Sequence, residues 1–370
     1  MLRIIFLCGS MEPGMDGVGD YTRRLSAELI RIGHRVDILA LNDRFISEES
    51  EVVQLADGTE LRVLRLPGNW SNIRRFNRAK KWIMGKNPEV ISLQFVPYSF
   101  HRKGVPVGID QFLLWLDRNY RWHIMFHELW LDNPNRFVQK AVAQIQQFVI
   151  SRCVNRLKPV KVNVSVPYNK RRLQSLGIAS DVLEIFGNIP DSRMRRHLVL
   201  DSLKKINAQK LLFFGLAPRG PYLTLVLNGL AGLLKKTGKH FCMVIVGADS
   251  PNKSAFIQAL QESLSQERVS IIDCGYLNSD TLSSVIRECH VGVARSDPQF
   301  LGKSGSAIAM LEHGLPIWMP KLTDLQLVEY SFRRHLIFTD LNEALRFSDR
   351  SEYHSLLPGV ARQFISQLTD

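Results

Sequence analysis

Three short segments carry residue types that grip phosphate. Gly302-Lys303-Ser304-Gly305-Ser306 stands directly before an apolar helical run, Ala307 to His313. A helix start carries roughly half a positive charge and unpaired N–H groups. One lysine and two hydroxyls added there make a cradle for a diphosphate. Gly14-Met15-Asp16-Gly17-Val18-Gly19 follows the apolar run Ile4 to Cys8. Gly17 and Gly19 let the backbone come close to a ligand, and the next helix points its N–H groups at it. Arg219, beside Gly220, follows the run Leu211 to Phe214, and a guanidinium placed there grips phosphate oxygens two at a time. His127, next to Glu128, ends the apolar run Trp122 to Phe126 and is placed to approach a reacting group.

Each segment has a structural alternative. The lysine segment reads also as a serine-capped helix with a solvated lysine. The glycines read as a tight turn, Arg219 as plain surface, and His127 as a structural histidine. Other chemistries are excluded by spacing. The glycine loop is not G-x-G-x-x-G, which argues against hydride transfer, and the lysine segment is not a Walker loop. The chain has no D-x-D triplet, and no histidine or cysteine cluster has metal-ligand spacing. The expectation is therefore no metal and no cofactor. Charge developing on a leaving diphosphate would be neutralised by Arg219, Lys303 and backbone N–H groups.

The elements that must position these residues follow one pattern. Ile4 to Cys8 reads as a strand and the glycine loop follows. Val18, Tyr21, Leu25, Leu29 and Ile32 then recur at helical spacing, Gly33 ends that helix, and Val36 to Leu41 is the next strand. Strand, loop, helix and strand imply a parallel sheet. Val53 to Leu66 has hairpin character around Asp57-Gly58, and the alternation of apolar runs and helical stretches then continues to Ile185. Asn188-Ile189-Pro190 and the polar stretch to Asn207 read as a linker. A second alternation starts at Leu211, with apolar runs ending at Gly215, Gly247 and Gly275.

In bulk, 370 residues suggest two domains, and 45% hydrophobic with 22% charged residues is ordinary for a folded protein. The net charge of +13 favours anionic partners: nucleotides, anionic lipid surfaces or nucleic acid. No recognition motif accompanies that charge, so nucleic acid is not expected. The five cysteines form no C-x-x-C pair; they read as reduced thiols of a cytoplasmic protein. The N-terminus reads as a first core strand, not a signal peptide, and no run is long enough for a membrane span. Asn72 to Met84 reads as a basic amphipathic helix. With Lys86 just beyond it, the segment holds Arg74, Arg75, Arg78, Lys80 and Lys81. It could dock on an anionic membrane or simply cover a sheet.

Taken in order, these motifs resemble a known family. Gly17-Val18-Gly19-Asp20-Tyr21-Thr22-Arg23-Arg24-Leu25 through Gly33-His34-Arg35-Val36 resembles the opening of family 4-like nucleotide-sugar glycosyltransferases of the GT-B fold. So do Phe186-Gly187-Asn188-Ile189-Pro190, Phe213-Phe214-Gly215, and Ser304-Gly305-Ser306-Ala307 through His313-Gly314-Leu315-Pro316. The resemblance implies an α/β chain of two Rossmann-like domains with a deep cleft between them. Residues 1–189 would bind the acceptor and residues 190–350 the nucleotide-sugar, and a helix in 351–370 would cross back to the first domain. Gly17 and Gly19 match the family's loop facing the donor phosphates, and Arg219 falls near its diphosphate-binding base. Lys303, Ser304, Gly305 and Ser306 match its phosphate-facing helix start, and His127 its histidine near the transferred sugar.

One departure stands out. Many relatives carry two glutamates eight positions apart here, and alignment on Gly314 puts Leu301 and Ala309 in their places; Glu312 is out of register. The leading reading is metal-independent, retaining transfer of a hexosyl unit to a carbohydrate or lipid-linked acceptor. The alternative is a non-catalytic relative that binds a sugar nucleotide or supports a partner enzyme. A sugar epimerase of the same fold is a third reading.

Overall fold

The computed structural model describes residues 1–117, 120–193, 197–264, 268–294, 298–320 and 330–369. The chain divides into two units. Residues Met1–Ile185 and Leu357–Asp370 form the first, and Phe186–Leu356 the second.

The first unit runs β1 (Arg3–Cys8), α1 (Gly17–Arg31), β2 (Arg35–Asp43), β3 (Ser50–Ala56), β4 (Thr59–Pro67), α2 (Asn72–Lys86), β5 (Val90–Phe95) and α3 (Pro97–Phe100). It continues through α4 (Ile109–Leu116), β6 (Arg121–Phe126), α5 (Phe137–Leu157), β7 (Lys161–Val164), α6 (Pro167–Gln174) and β8 (Asp181–Val182). The second unit holds α7 (Leu198–Lys204), β9 (Gln209–Phe214), α8 (Pro221–Thr237), β10 (Phe241–Val246), α9 (Pro251–Ser263), β11 (Val269–Asp273) and α10 (Ser279–Glu288). After these come β12 (Val291–Val293), α11 (Gly305–Glu312), β13 (Ile317–Trp318), β14 (Ile337–Phe338) and α12 (Leu341–Arg346); α13 (Leu357–Thr369) returns to the first unit.

The sheet orders are β3-β4-β2-β1-β5-β6-β7-β8 and β11-β10-β9-β12-β13-β14. Every pairing is parallel except the β3–β4 hairpin. With β3 set aside, both sheets begin from a central strand, grow to one side, then cross back and grow to the other. Order reverses between β1 and β5 in the first sheet and between β9 and β12 in the second. Such a reversal splays the loops at the carboxyl ends of the two strands and leaves a crevice for a ligand.

The strands are apolar runs because helices cover both faces of a parallel sheet. On one face of the first sheet, Ile5, Leu7, Leu93 and Trp122 pack under α2, α4 and α5. The other face meets α13. Phe364 stacks on Phe6 with ring centres 5.6 Å apart and turns its ring against the edge of His123 at 5.0 Å.

Some expectations need correction. The stretch from Asn188 to Asn207 is not a linker in its described part. It holds α7, whose Leu200 and Leu203 are buried, and Ser192 N–H bonds Ser283 Oγ of α10 at 2.9 Å. Its polar residues mark one exposed side of a packed segment. The final helix starts at Leu357, not Ser351. Residues 351–356 instead lie against the end of α11, where His354 N–H bonds the Glu312 carbonyl at 2.8 Å. α2 uses its basic residues partly inside the unit: Arg75 is buried against the Leu41 carbonyl, Arg78 pairs with Glu49 and Lys86 with Asp37. Among the described residues, no helix is long and apolar enough to cross a membrane.

Candidate functional site

In the second unit the crevice lies between the loop after β9 and the loop after β12. α8 starts in the first of these loops. Its N-cap is Gly220, and no side chain caps it. Among the described residues, the other α-helices of this unit have side-chain caps: His197, Ser250, Asn278, Ser304 and Asp340. The first residue of α8 is Pro221, which has no N–H, and Leu223 N–H bonds the Gly220 carbonyl at 3.0 Å. Exposed Arg219 stands one residue before it. α11 starts on the other side of the crevice. Ser304 Oγ accepts from Ala307 N–H at 3.3 Å and lies 3.2 Å from Ser306 Oγ. Ser306 reaches the β9 loop, since a Cβ built on Gly215 would lie 3.7 Å from its Oγ. Lys303 ends a short 3-10 turn, Pro298–Lys303, with its ammonium 5.0 Å above the Phe300 ring.

The start of α11 is held from below by the segment that opens the unit. Asn188 N–H approaches the Gly305 carbonyl at 3.5 Å. A Cβ on Gly187 would lie 2.6 Å from Ala309 Cα, so this backbone sits directly on the helix. The structure thus brings Ser304, Gly305, Ser306 and Lys303 to one side of the β9–β12 crevice and Arg219 to the other. The arrangement offers the start of α11 and two cations to a diphosphate.

In the first unit the loop after β1 is pinned by Asp43, which is fully buried. Asp43 accepts from Ser10 Oγ at 3.2 Å, Met11 N–H at 3.1 Å and Arg65 Nε at 2.7 Å. Burial alone would raise the Asp43 carboxyl. The Arg65 bond and the Met11 and Phe45 N–H groups outweigh it and hold the group below its ordinary range. Gly19 is buried, and a Cβ there would meet the Ser10 carbonyl at 2.8 Å, so helix and loop require glycine for packing. Gly17 is exposed with open space around it. Between them, Asp16 caps α1 by accepting from Val18 N–H at 3.0 Å and Gly19 N–H at 3.4 Å.

His127 follows β6, next to β5 at the same crevice. Its N–H continues the ladder to the Phe95 carbonyl at 3.1 Å. Its Nε2 is 2.9 Å from Gln94 Oε1, and its ring lies edge-on to Tyr21 of α1 at 4.9 Å. Gly19, Tyr21 and His127 therefore share one end of one sheet.

This geometry can be set against known proteins. No family model matches the sequence, and no curated protein matches it. Solved structures do. Sucrose-phosphate synthase from Thermosynechococcus elongatus is similar at TM-score 0.60 and 16% identity, over 88% of this chain and 83% of that one. The catalytic domain of starch synthase IV from Arabidopsis thaliana, solved with ADP and acarbose, is similar at TM-score 0.56 and 12% identity, over 100% and 99%. UDP-GlcNAc 2-epimerase from Methanocaldococcus jannaschii is similar at TM-score 0.54 and 12% identity, over 100% and 99%. The chain has the GT-B fold.

Within this GT-B chain, the two positions aligned with the paired glutamates are core. Leu301 is 1% exposed and Ala309 fully buried. Glu312 is fully buried too, and its Oε1 accepts from Leu356 N–H at 2.8 Å. It anchors the approach to α13 instead of meeting a sugar. Behind His127, Ser92, Gln94, His123 and Asn163 are all buried and bonded to one another. The sequence holds a signal for them: each is a polar residue inside an otherwise apolar strand. The concavity of about 500 Å³ near Lys158 and Asp181 lies at the amino ends of β7 and β8 and includes none of these residues.

Proposed function

We propose that this GT-B chain transfers a hexosyl unit from a nucleotide-sugar to a carbohydrate or lipid-linked acceptor, with retention and without a metal. One observation carries the reading: the loop with Arg219 follows β9, and Lys303 with the start of α11 follows the neighbouring strand β12, so both come from the carboxyl ends of adjacent strands. Those groups would hold the diphosphate and stabilise the charge that grows on it as the sugar leaves. The nucleotides in the names of similar structures support a nucleotide donor. A panel of nucleotide-sugars with product detection tests the reading.

Lys303 gives the proposal its sharpest local test. Lys303→Ala is expected to weaken nucleoside diphosphate binding about 10- to 100-fold, the loss of one charged hydrogen bond. Thermal stability should stay unchanged, because among the described residues the Lys303 ammonium leans on the Phe300 ring and makes no ion pair. Calorimetric titration measures it, and an unaltered affinity removes Lys303 from the site.

The proposal includes transfer without a metal, on the absence of a D-x-D triplet from the sequence. Turnover is expected to persist in EDTA. Loss of turnover that magnesium or manganese restores would refute it.

A specific observation favours a second reading, binding without turnover. Leu301 and Ala309 offer no carboxylate where many relatives carry two. Nucleotide binding with no product from any donor supports that reading, and a changed sugar on the same nucleotide supports an epimerase.

An anionic bilayer stays in the proposal as a partner of α2 through Arg74, Lys80 and Lys81 in place of six basic residues. Each adds about 1 kcal/mol near such a surface. Sedimentation with anionic vesicles at low salt is expected; a chain that stays in the supernatant excludes it.

A further inference from the structure

A polar chain crosses the buried face of the first sheet behind His127, and its direction can be worked out from one end. Asn163 gives its Nδ2 hydrogen to the main-chain carbonyl of Asp181 at 3.1 Å. A carbonyl oxygen only accepts. Asn163 Oδ1 is therefore turned to His123 Nε2, 2.9 Å away, and that nitrogen must carry a hydrogen. Burial pushes His123 down to about 4, against the Asn163 bond and with the Lys161 charge. The ring is neutral at pH 7, so its Nδ1 accepts. Ser92 Oγ, 2.7 Å from that nitrogen, donates to it. The hydroxyl then accepts from Gln94 Nε2, also at 2.7 Å. The Gln94 oxygen is left facing His127 Nε2 at 2.9 Å.

We propose that Asn163, His123, Ser92 and Gln94 are positioning residues that fix His127 as the Nε2–H tautomer, with Nδ1 as the nitrogen through which it accepts. The reason is geometric. If the Gln94 amide turned over, its oxygen would face a Ser92 oxygen whose hydrogen already goes to His123, and two acceptors would meet in a buried site. One unmade buried bond biases the amide by roughly tenfold or more. The consequence for glycosyl transfer rests on the reading of His127 as a residue near the transferred sugar; the tautomer does not.

The experiment is long-range proton–nitrogen NMR on the full chain labelled with 15N-histidine, the His127 signals being assigned by their loss in His127→Gln. The wild-type chain is expected to show the Nε2–H pattern at His127. Ser92→Ala removes the middle link, and His127 should become a mixture of tautomers; Ser92→Thr, which keeps the hydroxyl, should restore the single form. In turnover, Ser92→Ala is expected to lower kcat about 5- to 10-fold with KM unchanged, and Ser92→Thr to recover it. Gln94→Met, which fills the same space without an acceptor, gives the same test should Ser92→Ala not fold. An Nδ1–H pattern in the wild-type chain, or a His127 signal unmoved in Ser92→Ala or Gln94→Met, overturns the proposal. Absence of any turnover in the wild-type chain counts against the proposed function and leaves the tautomer result standing.

Discussion

His127→Ala is expected to lower turnover at least about 100-fold, the lower range for a side chain that exchanges or shares a proton at the reacting centre. Nucleotide affinity should stay within about threefold, since on the proposed reading the interaction belongs to the sugar and its transition state. The variant should still fold. His127 is half-buried, and its side chain bonds Gln94 and lies edge-on to Tyr21. Their loss amounts to about 1–3 kcal/mol. Steady-state kinetics, nucleotide titration and thermal melting separate the cases. If turnover and nucleotide affinity fall together, or the melt collapses, His127 is structural.

Gly314→Ala is expected to cost about 3–5 kcal/mol, among the largest effects a single methyl can have. Gly314 has φ +72°, a left-handed conformation that alanine enters only with strain. A Cβ there would also fall onto the carbonyl oxygen of Ser351. The segment that would be displaced is tied down at several points. His313 packs edge-on to Tyr353 at 4.9 Å. His354 N–H bonds the Glu312 carbonyl, and Leu356 N–H bonds the Glu312 carboxylate. The melting temperature should fall by roughly 10 °C. A shift of less than about 2 °C would mean that the segment moves aside freely.

Much of the architecture is legible in the sequence because parallel strands are buried on both sides. Runs such as Ile4–Cys8 and Phe241–Val246 stand out without any periodicity, and glycine marks their ends. Helices with a broad apolar stripe, such as α1, are equally plain. α9 escapes the same reading because its buried contacts are few, chiefly Phe256 and Leu260. The segments proposed to face phosphate are legible as local motifs at strand ends. What they touch is not. Ser306 approaches Gly215 because β9 and β12 are neighbours, and that neighbour relation belongs to the whole sheet.

The polar residues of β5, β6 and β7 show the limit most sharply. Ser92 and Gln94 interrupt Val-Ile-Ser-Leu-Gln-Phe, His123 interrupts Arg-Trp-His-Ile-Met-Phe, and Asn163 interrupts Lys-Val-Asn-Val. Taken strand by strand they are isolated blemishes in apolar runs. Strand order places Ser92 opposite His123 and Asn163 opposite Met125, which turns them into neighbours. The lid that dries them, Phe364, comes from a distant part of the chain. Glu312 teaches the converse. Its place near the missing glutamates invites a role with the donor, yet its carboxylate is used by Leu356 N–H.

The return of α13 to the first unit has a consequence for biosynthesis. Residues Phe186–Leu356 leave the ribosome before the helix that closes the first sheet. At about 5–20 residues per second that interval is on the order of ten to thirty seconds. Throughout it, Phe6 and the His123 face stay wet, and the nascent first unit offers an apolar strip to any chaperone that samples it. The first unit is thus sealed only when Phe364 arrives.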